Sequence, residues 1–164
     1  MSFTLYGDLG SGAFSAEAAL AEAGAPYRFE LVSLDKNEQK QPAFLSINPS
    51  GKMPALRLPE GEIVTESAAI LLTLADHFPQ ARLLPPQASS DRATAYRWLA
   101  FMAGEIYPIV EIEDYPARFV PEGAAADYAK AVRPQRILQL TAALRRVLEE
   151  DQALVAGGPQ PAQL

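Results

Sequence analysis

Apolar positions change their spacing several times along this chain, and each change marks an element. Phe3 and Leu5 alternate with Thr4 and Tyr6 in a β-favouring run that Gly7, Gly10 and Gly12 bring to a stop, which predicts a strand and then a glycine-rich loop. Ala13 to Ala23 is dominated by alanine, leucine and glutamate, strong helix formers, and Gly24 with Pro26 supplies a stop signal. Tyr27 to Leu34 returns to β-type residues. The strand, helix and strand so defined have the length that a right-handed parallel crossover needs.

The polar stretch Asp35 to Gln41 reads as a loop, and Pro42 opens a brief helix through Ile47 that Asn48, Pro49, Ser50 and Gly51 break. Pro54 to Leu58 and Glu62 to Thr65 read as antiparallel strands around a tight Pro59-Glu60-Gly61 turn. A helix follows from Ser67 to Phe78, with Ile70, Leu71, Leu74, Ala75 and Phe78 on one face. The order over residues 1–78 is therefore βαβαββα with a mixed sheet.

Residues 79–90 hold Pro79, Pro85 and Pro86 among polar residues and read as a linker. Residues 91–164 form an all-α second domain. Asp91 to Glu113 carries Trp98, Leu99, Phe101 and Met102, and Ala124 to Glu150 carries Ile137, Leu138, Leu140, Leu144 and Leu148. Two helices bury little by themselves, and from Gly157 onward no periodic pattern remains, so this domain reads as cut short.

Composition narrows the function. With 164 residues the chain accommodates one large or two small domains, and 49% hydrophobic against 21% charged residues implies a packed core. The net charge of −6, from 20 acidic and 14 basic residues without a basic block, argues against nucleic acid as a partner. The absence of cysteine excludes disulfides, thiolate metal sites and a cysteine nucleophile. Glu105, Glu111, Glu113 and Asp114 form an acidic cluster, but the only histidine, His77, is far off in sequence, so no metal is expected. Apolar runs such as Ala68 to Ala75 are too short for a membrane span of about 20 residues. Met1 to Leu5 leads straight into a strand rather than a signal core, so the expected compartment is the cytoplasm.

Two motifs carry chemistry: Asn48-Pro49-Ser50-Gly51-Lys52-Met53-Pro54-Ala55-Leu56, and, twelve residues past Pro54, Glu66-Ser67-Ala68-Ala69-Ile70. On the βαβαββα order they resemble the thioredoxin-like, glutathione-binding domain of bacterial-type glutathione S-transferases. Trp98-Leu99 and the Tyr107-Pro108 kink are similar to the start of that family's helical domain. The resemblance implies a cis peptide before Pro54, so that the Met53 amide and carbonyl pair with the cysteinyl backbone of glutathione. It implies that Glu66 meets the γ-glutamyl ammonium, Ser67 the γ-glutamyl carboxylate, and Lys52 the tripeptide's other carboxylate. Read from the residues alone, Pro54 is a trans proline opening a strand, Ser67 with Glu66 is a helix cap, and Lys52 is a solvated loop lysine.

A hydroxyl near the start of the first helix activates the glutathione thiol in serine-type members of the family. Ser11 falls at that place, with Gly12 and Ala13 where cysteine-type members keep a Cys-Ser pair. Ser15 and Tyr6 are the other hydroxyls within reach, and the plain reading of Ser11 is again a helix cap. Tyr107 lines the substrate cleft by the same resemblance. The implied activity is a glutathione transferase that takes reduced glutathione as co-substrate and a small electrophile, needs no metal, and pairs into a homodimer. A catalytically inactive glutathione- or partner-binding module is the alternative. A thiol-disulfide oxidoreductase would need a redox cysteine and is rejected.

Overall fold

The computed structural model describes residues 2–156, so the tail from Gly157 lies outside the described residues. The chain divides into two compact units at Ala100 and Phe101. In the first unit β1 (Phe3–Gly7), α1 (Ala13–Glu22), β2 (Tyr27–Leu31), α2 (Pro42–Leu45), β3 (Ala55–Arg57), β4 (Ile63–Thr65) and α3 (Ser67–His77) follow in the order read from the sequence. The sheet runs β2-β1-β3-β4, with β1 parallel to β2 and antiparallel to β3, and β3 antiparallel to β4. This is the thioredoxin-like mixed sheet.

Strand alternation sorts the side chains into two clusters. Phe3 and Leu5 join Ala16, Ala19 and Leu20 of α1, Leu56 of β3, and Ile70 and Leu74 of α3. Val32, Phe44 and Ala55 form the other cluster, with Tyr6, Ile47 and Met53 packed against it. Each fully buried leucine or isoleucine contributes roughly 1.5–3 kcal/mol over its exposed state. Gly7 is required where β1 meets α1, because a β carbon there would fall 2.3 Å from that of Ala13. Tyr27 ties β2 to α1 by donating to Glu17 over 3.1 Å.

Strand β2 ends at Leu31, short of the expected Leu34: the Val32 N–H still bonds Gly7 O at 2.8 Å, but the two backbone donors after it are claimed by side chains. The Ser33 N–H donates to Glu38 Oε2 at 2.7 Å and the Leu34 N–H to Asp8 Oδ2 at 2.7 Å. After a 3-10 turn at Pro79–Ala81, α4 (Ser90–Phe101) begins. Its Arg92 is buried and bonded through all three guanidinium nitrogens, donating to Pro85 O at 2.9 Å, to the Tyr96 hydroxyl at 2.8 Å and to Asp76 Oδ1 at 3.3 Å. A buried guanidinium needs such partners, and these hold the proline-rich segment and the start of α4 within the first unit.

The helical stretch expected over Asp91 to Glu113, with a kink at Tyr107-Pro108, is found in three pieces: α4, a π-helical turn at Met102–Ile106, and α5 (Tyr107–Asp114). Pro108 has no N–H to continue the ladder and its ring crowds the Gly104 carbonyl, which the wider π turn relieves. The last helix, α6 (Ala125–Ala156), runs past the expected Glu150 and contains Pro134. In this unit Arg118 donates to Glu111 at 2.9 Å and Arg133 to Glu113 at 3.1 Å, which occupies two members of the acidic cluster. Among the described residues no helix is long and apolar enough to cross a membrane, and no cluster of side chains is built to hold a metal ion.

Candidate functional site

Strand register explains the twelve-residue spacing of the two motifs. Ala55 pairs with Thr65 across the β3–β4 hairpin and with Tyr6 on β1. One residue further along, Pro54 therefore comes beside Glu66 and beside the end of β1. Gly12 marks where the segments meet: a β carbon on it would lie 3.5 Å from the Met53 carbonyl oxygen, 3.6 Å from Pro54 Cδ and 3.9 Å from Ser67 Oγ. The Met53–Pro54 peptide is cis. Pro54 is buried, Met53 and Ser67 are half-buried, and Lys52 and Glu66 are exposed.

The loop before Pro54 is braced by two residues to which the sequence reading gave no bracing role. Asn48, read there as a helix breaker and as the first residue of the motif, is buried. Its Nδ2 donates to Lys52 O at 2.6 Å, while its Oδ1 accepts the Ser50 N–H at 3.1 Å and the Ser50 hydroxyl at 2.9 Å. Lys40 Nζ donates to Gly51 O at 2.8 Å and Ser50 O at 3.4 Å. Gly51 sits at φ +59°, where glycine is favoured, and a β carbon there would also press on the Gln39 carbonyl oxygen at 3.0 Å. The Asn-Pro-Ser-Gly run was a visible signal for the Asn48 turn, since Asn caps its own following backbone. Nothing local in the sequence pointed to Lys40.

Helix α3 starts at Ser67, with Glu66 before it at φ +67°, an uncommon conformation for a residue other than glycine. The first backbone N–H groups of a helix have no partner within it and carry its positive dipole end. Beside them stand the Ser67 hydroxyl and the Glu66 carboxylate. Such a helix start favours an anion, and the Glu66 carboxylate beside it is an acceptor for a cation.

The three hydroxyl candidates all have internal partners. Ser11 Oγ donates to the Asp8 carbonyl at 2.7 Å and accepts the N–H groups of Asp8 and Ala13, each at 3.2 Å. It thus caps the turn into α1, directly before Gly12. Ser15 Oγ donates to Gly12 O at 3.2 Å. The Tyr6 hydroxyl accepts from Arg57 Nε at 3.2 Å while its ring packs edge-on to Phe44. Tyr107 opens α5 in the second unit and is 48% exposed. Asp8, which the sequence reading did not single out, accepts the Leu9 N–H on one carboxylate oxygen at 2.8 Å and the Leu34 N–H on the other.

Comparison with known proteins places this geometry. The family model described as "Glutathione S-transferase, N-terminal domain" matches residues 1–76. An uncharacterised GST-like protein of Escherichia coli K12 is 34% identical over 119 residues, which is 72% of this chain and 57% of the relative. The chain therefore spans little more than half the length of that curated relative. A sphingomonad glutathione S-transferase complexed with glutathione is 35% identical, with a TM-score of 0.72 over 89% of this chain and 70% of that structure. A glutathione transferase homologue from Sulfitobacter with bound glutathione superposes with a TM-score of 0.79 at 28% identity, over 84% of this chain and 66% of its own. Fold order, the two motifs at their fixed register and these likenesses agree: the chain belongs to the glutathione S-transferase family.

Proposed function

We propose that the first unit binds reduced glutathione and that the chain conjugates the glutathione thiolate to a small electrophile. The observation that carries this reading is the convergence of Met53, Pro54 and Ser67 on Gly12. The Met53 main chain pairs with the cysteinyl backbone. Ser67 and the start of α3 hold the γ-glutamyl carboxylate, Glu66 holds its ammonium, and Lys52 faces the other carboxylate. The cysteinyl sulfur then falls toward the start of α1, where Ser11 stands.

A free thiol has a pKa of about 8.5, and each unit by which a site lowers it raises the thiolate fraction near neutral pH about tenfold. The α1 N-terminus and the Ser11 hydroxyl, turned from the Asp8 carbonyl to the sulfur, supply that lowering. The thiolate attacks the electrophilic carbon and forms the C–S bond, and the displaced electron pair leaves with the leaving group while the thiol proton passes to solvent. A cytoplasmic setting is part of the same proposal. Pairing of two copies belongs to the same proposal and is read by sedimentation.

One observation favours the second reading, an inactive glutathione-binding module: the Ser11 hydroxyl proton is already given to Asp8 O. Calorimetric titration with reduced glutathione and a conjugation assay on a generic electrophile separate the two. The transferase reading expects saturable binding that Ser67→Ala weakens tenfold or more, and turnover that Ser11→Ala abolishes while binding persists. Binding without turnover in the native chain leaves the module, and no saturable binding at millimolar glutathione by the folded chain contradicts both.

A further inference from the structure

We infer that Asp8 is a positioning residue for thiol activation: its carboxylate ties the loop that carries Ser11 to the segment after β2 and so fixes where the hydroxyl stands. This rests on the glutathione reading above. The loop from Asp8 to Gly12 has little packing to hold it, since Leu9 is 83% exposed and Gly10 is exposed as well. Polar bonds do the holding instead. Asp8 Oδ1 accepts the Leu9 N–H at 2.8 Å, and Oδ2 accepts the Leu34 N–H at 2.7 Å from 26 residues further along the chain. The main chain of the same residue holds Ser11 through two bonds that persist when the hydroxyl proton turns from Asp8 O to the sulfur: Asp8 N–H donates to Ser11 Oγ at 3.2 Å, and the Ser11 N–H donates to Asp8 O at 3.2 Å. Ser11 is thus attached to a residue whose side chain is anchored at both oxygens.

The chemistry of that anchor requires a carboxylate. Both partners of Asp8 are N–H donors, and bonds from N–H to an ionised carboxylate are shorter and stronger than neutral ones. An asparagine of the same shape would turn an NH₂ group toward one of them, leaving two donors face to face. The Asp8 side chain acts through Ser11 and does not itself touch the sulfur.

The test compares Asp8→Asn, Asp8→Glu and Ser11→Ala in the full chain, with reduced glutathione as the probe. At saturating glutathione the ultraviolet absorbance of the bound thiolate reports the activated fraction. In Asp8→Asn the affinity for glutathione stays within about twofold while the thiolate fraction falls about tenfold, the equivalent of one pKa unit. Ser11→Ala loses a similar amount, the double variant loses no more than either alone, and Asp8→Glu, which keeps both acceptors, recovers part of the loss. An unchanged thiolate fraction in Asp8→Asn beside a loss in Ser11→Ala overturns the role of Asp8 and leaves that of Ser11. No loss in either variant overturns both roles while glutathione binding stands, and failure of the native chain to bind overturns the glutathione reading together with this inference. Amide exchange needs no variant: protection of the Leu34 N–H in the native chain that increases on glutathione binding supports the anchor, and free exchange there overturns it.

Discussion

Leu5, Leu20, Leu56, Ile70 and Leu74, from β1, α1, β3 and α3, are fully buried in the first unit. In the second unit Ile106 and Ala143 are the buried hydrophobics among the described residues, while Tyr107, Phe119, Ile137 and Leu138 are exposed at 48, 46, 59 and 71%. The difference follows from how each unit brings side chains together. A sheet collects segments that are distant in sequence, because register places β1, β3 and β4 side by side and helices then cover the face. The second unit's helices follow one another along the chain and bury only the stripes they turn to each other. Motif residues placed by strand register are accordingly held by a closed core, and Tyr107, outside that core, is not.

The largest expected effects test this contrast directly. Leu56→Ala or Leu74→Ala should cost about 2–5 kcal/mol in urea unfolding, as deletions in a packed core do. Leu138→Ala, on an exposed helix face, should stay within about 0.5 kcal/mol. Equal losses would break the contrast. Ser67→Ala should cost about 1.5–3 kcal/mol of glutathione affinity by titration, the range for a hydrogen bond to a charged group, with the urea midpoint unmoved. Lys40→Met should loosen the Ser50 and Gly51 carbonyls and cost about 1 kcal/mol of the same affinity. A loss of stability in Lys40→Met without loss of affinity would make the lysine a scaffold residue only.

The smallest effect is at high pH. Burial, and then the bond to Glu17, raises the Tyr27 phenol above its ordinary value of 10.0. The folded state therefore holds this proton more tightly than the unfolded chain. The stability it adds is complete below pH 10.0 and is lost as pH rises through the raised value. Urea midpoints across the alkaline range should fall less steeply in Tyr27→Phe than in the native chain.

The sequence made legible what depends on local pattern or on a paired motif. Ala13 to Gly24 read as a helix because propensity and stop signal agree there, and the hairpin read cleanly because Pro59-Glu60-Gly61 permits little but a turn. The Met53-Pro54 and Glu66-Ser67 motifs stood out as a pair, and the Ala55 to Thr65 register shows why their spacing matters. What stayed hidden was long-range. The anchor from Asp8 to Leu34 and the brace from Lys40 to Gly51 join segments that are neighbours only after the sheet forms. Burial of Arg92 likewise depends on Asp76 and Pro85 arriving beside it. The kink at Tyr107-Pro108 was legible, but its form as a π turn over Met102–Ile106 was not, because apolar spacing continues through it.

Whether the first unit carries a glutathione site centred on Gly12 is read by amide mapping of the full chain by nuclear magnetic resonance during titration with reduced glutathione. The amides of Gly12, Met53, Glu66 and Ser67 should shift along one saturating curve while that of Leu138 stays in place. Saturable shifts elsewhere with those four unmoved, or no saturable shift at millimolar glutathione, would contradict a site there.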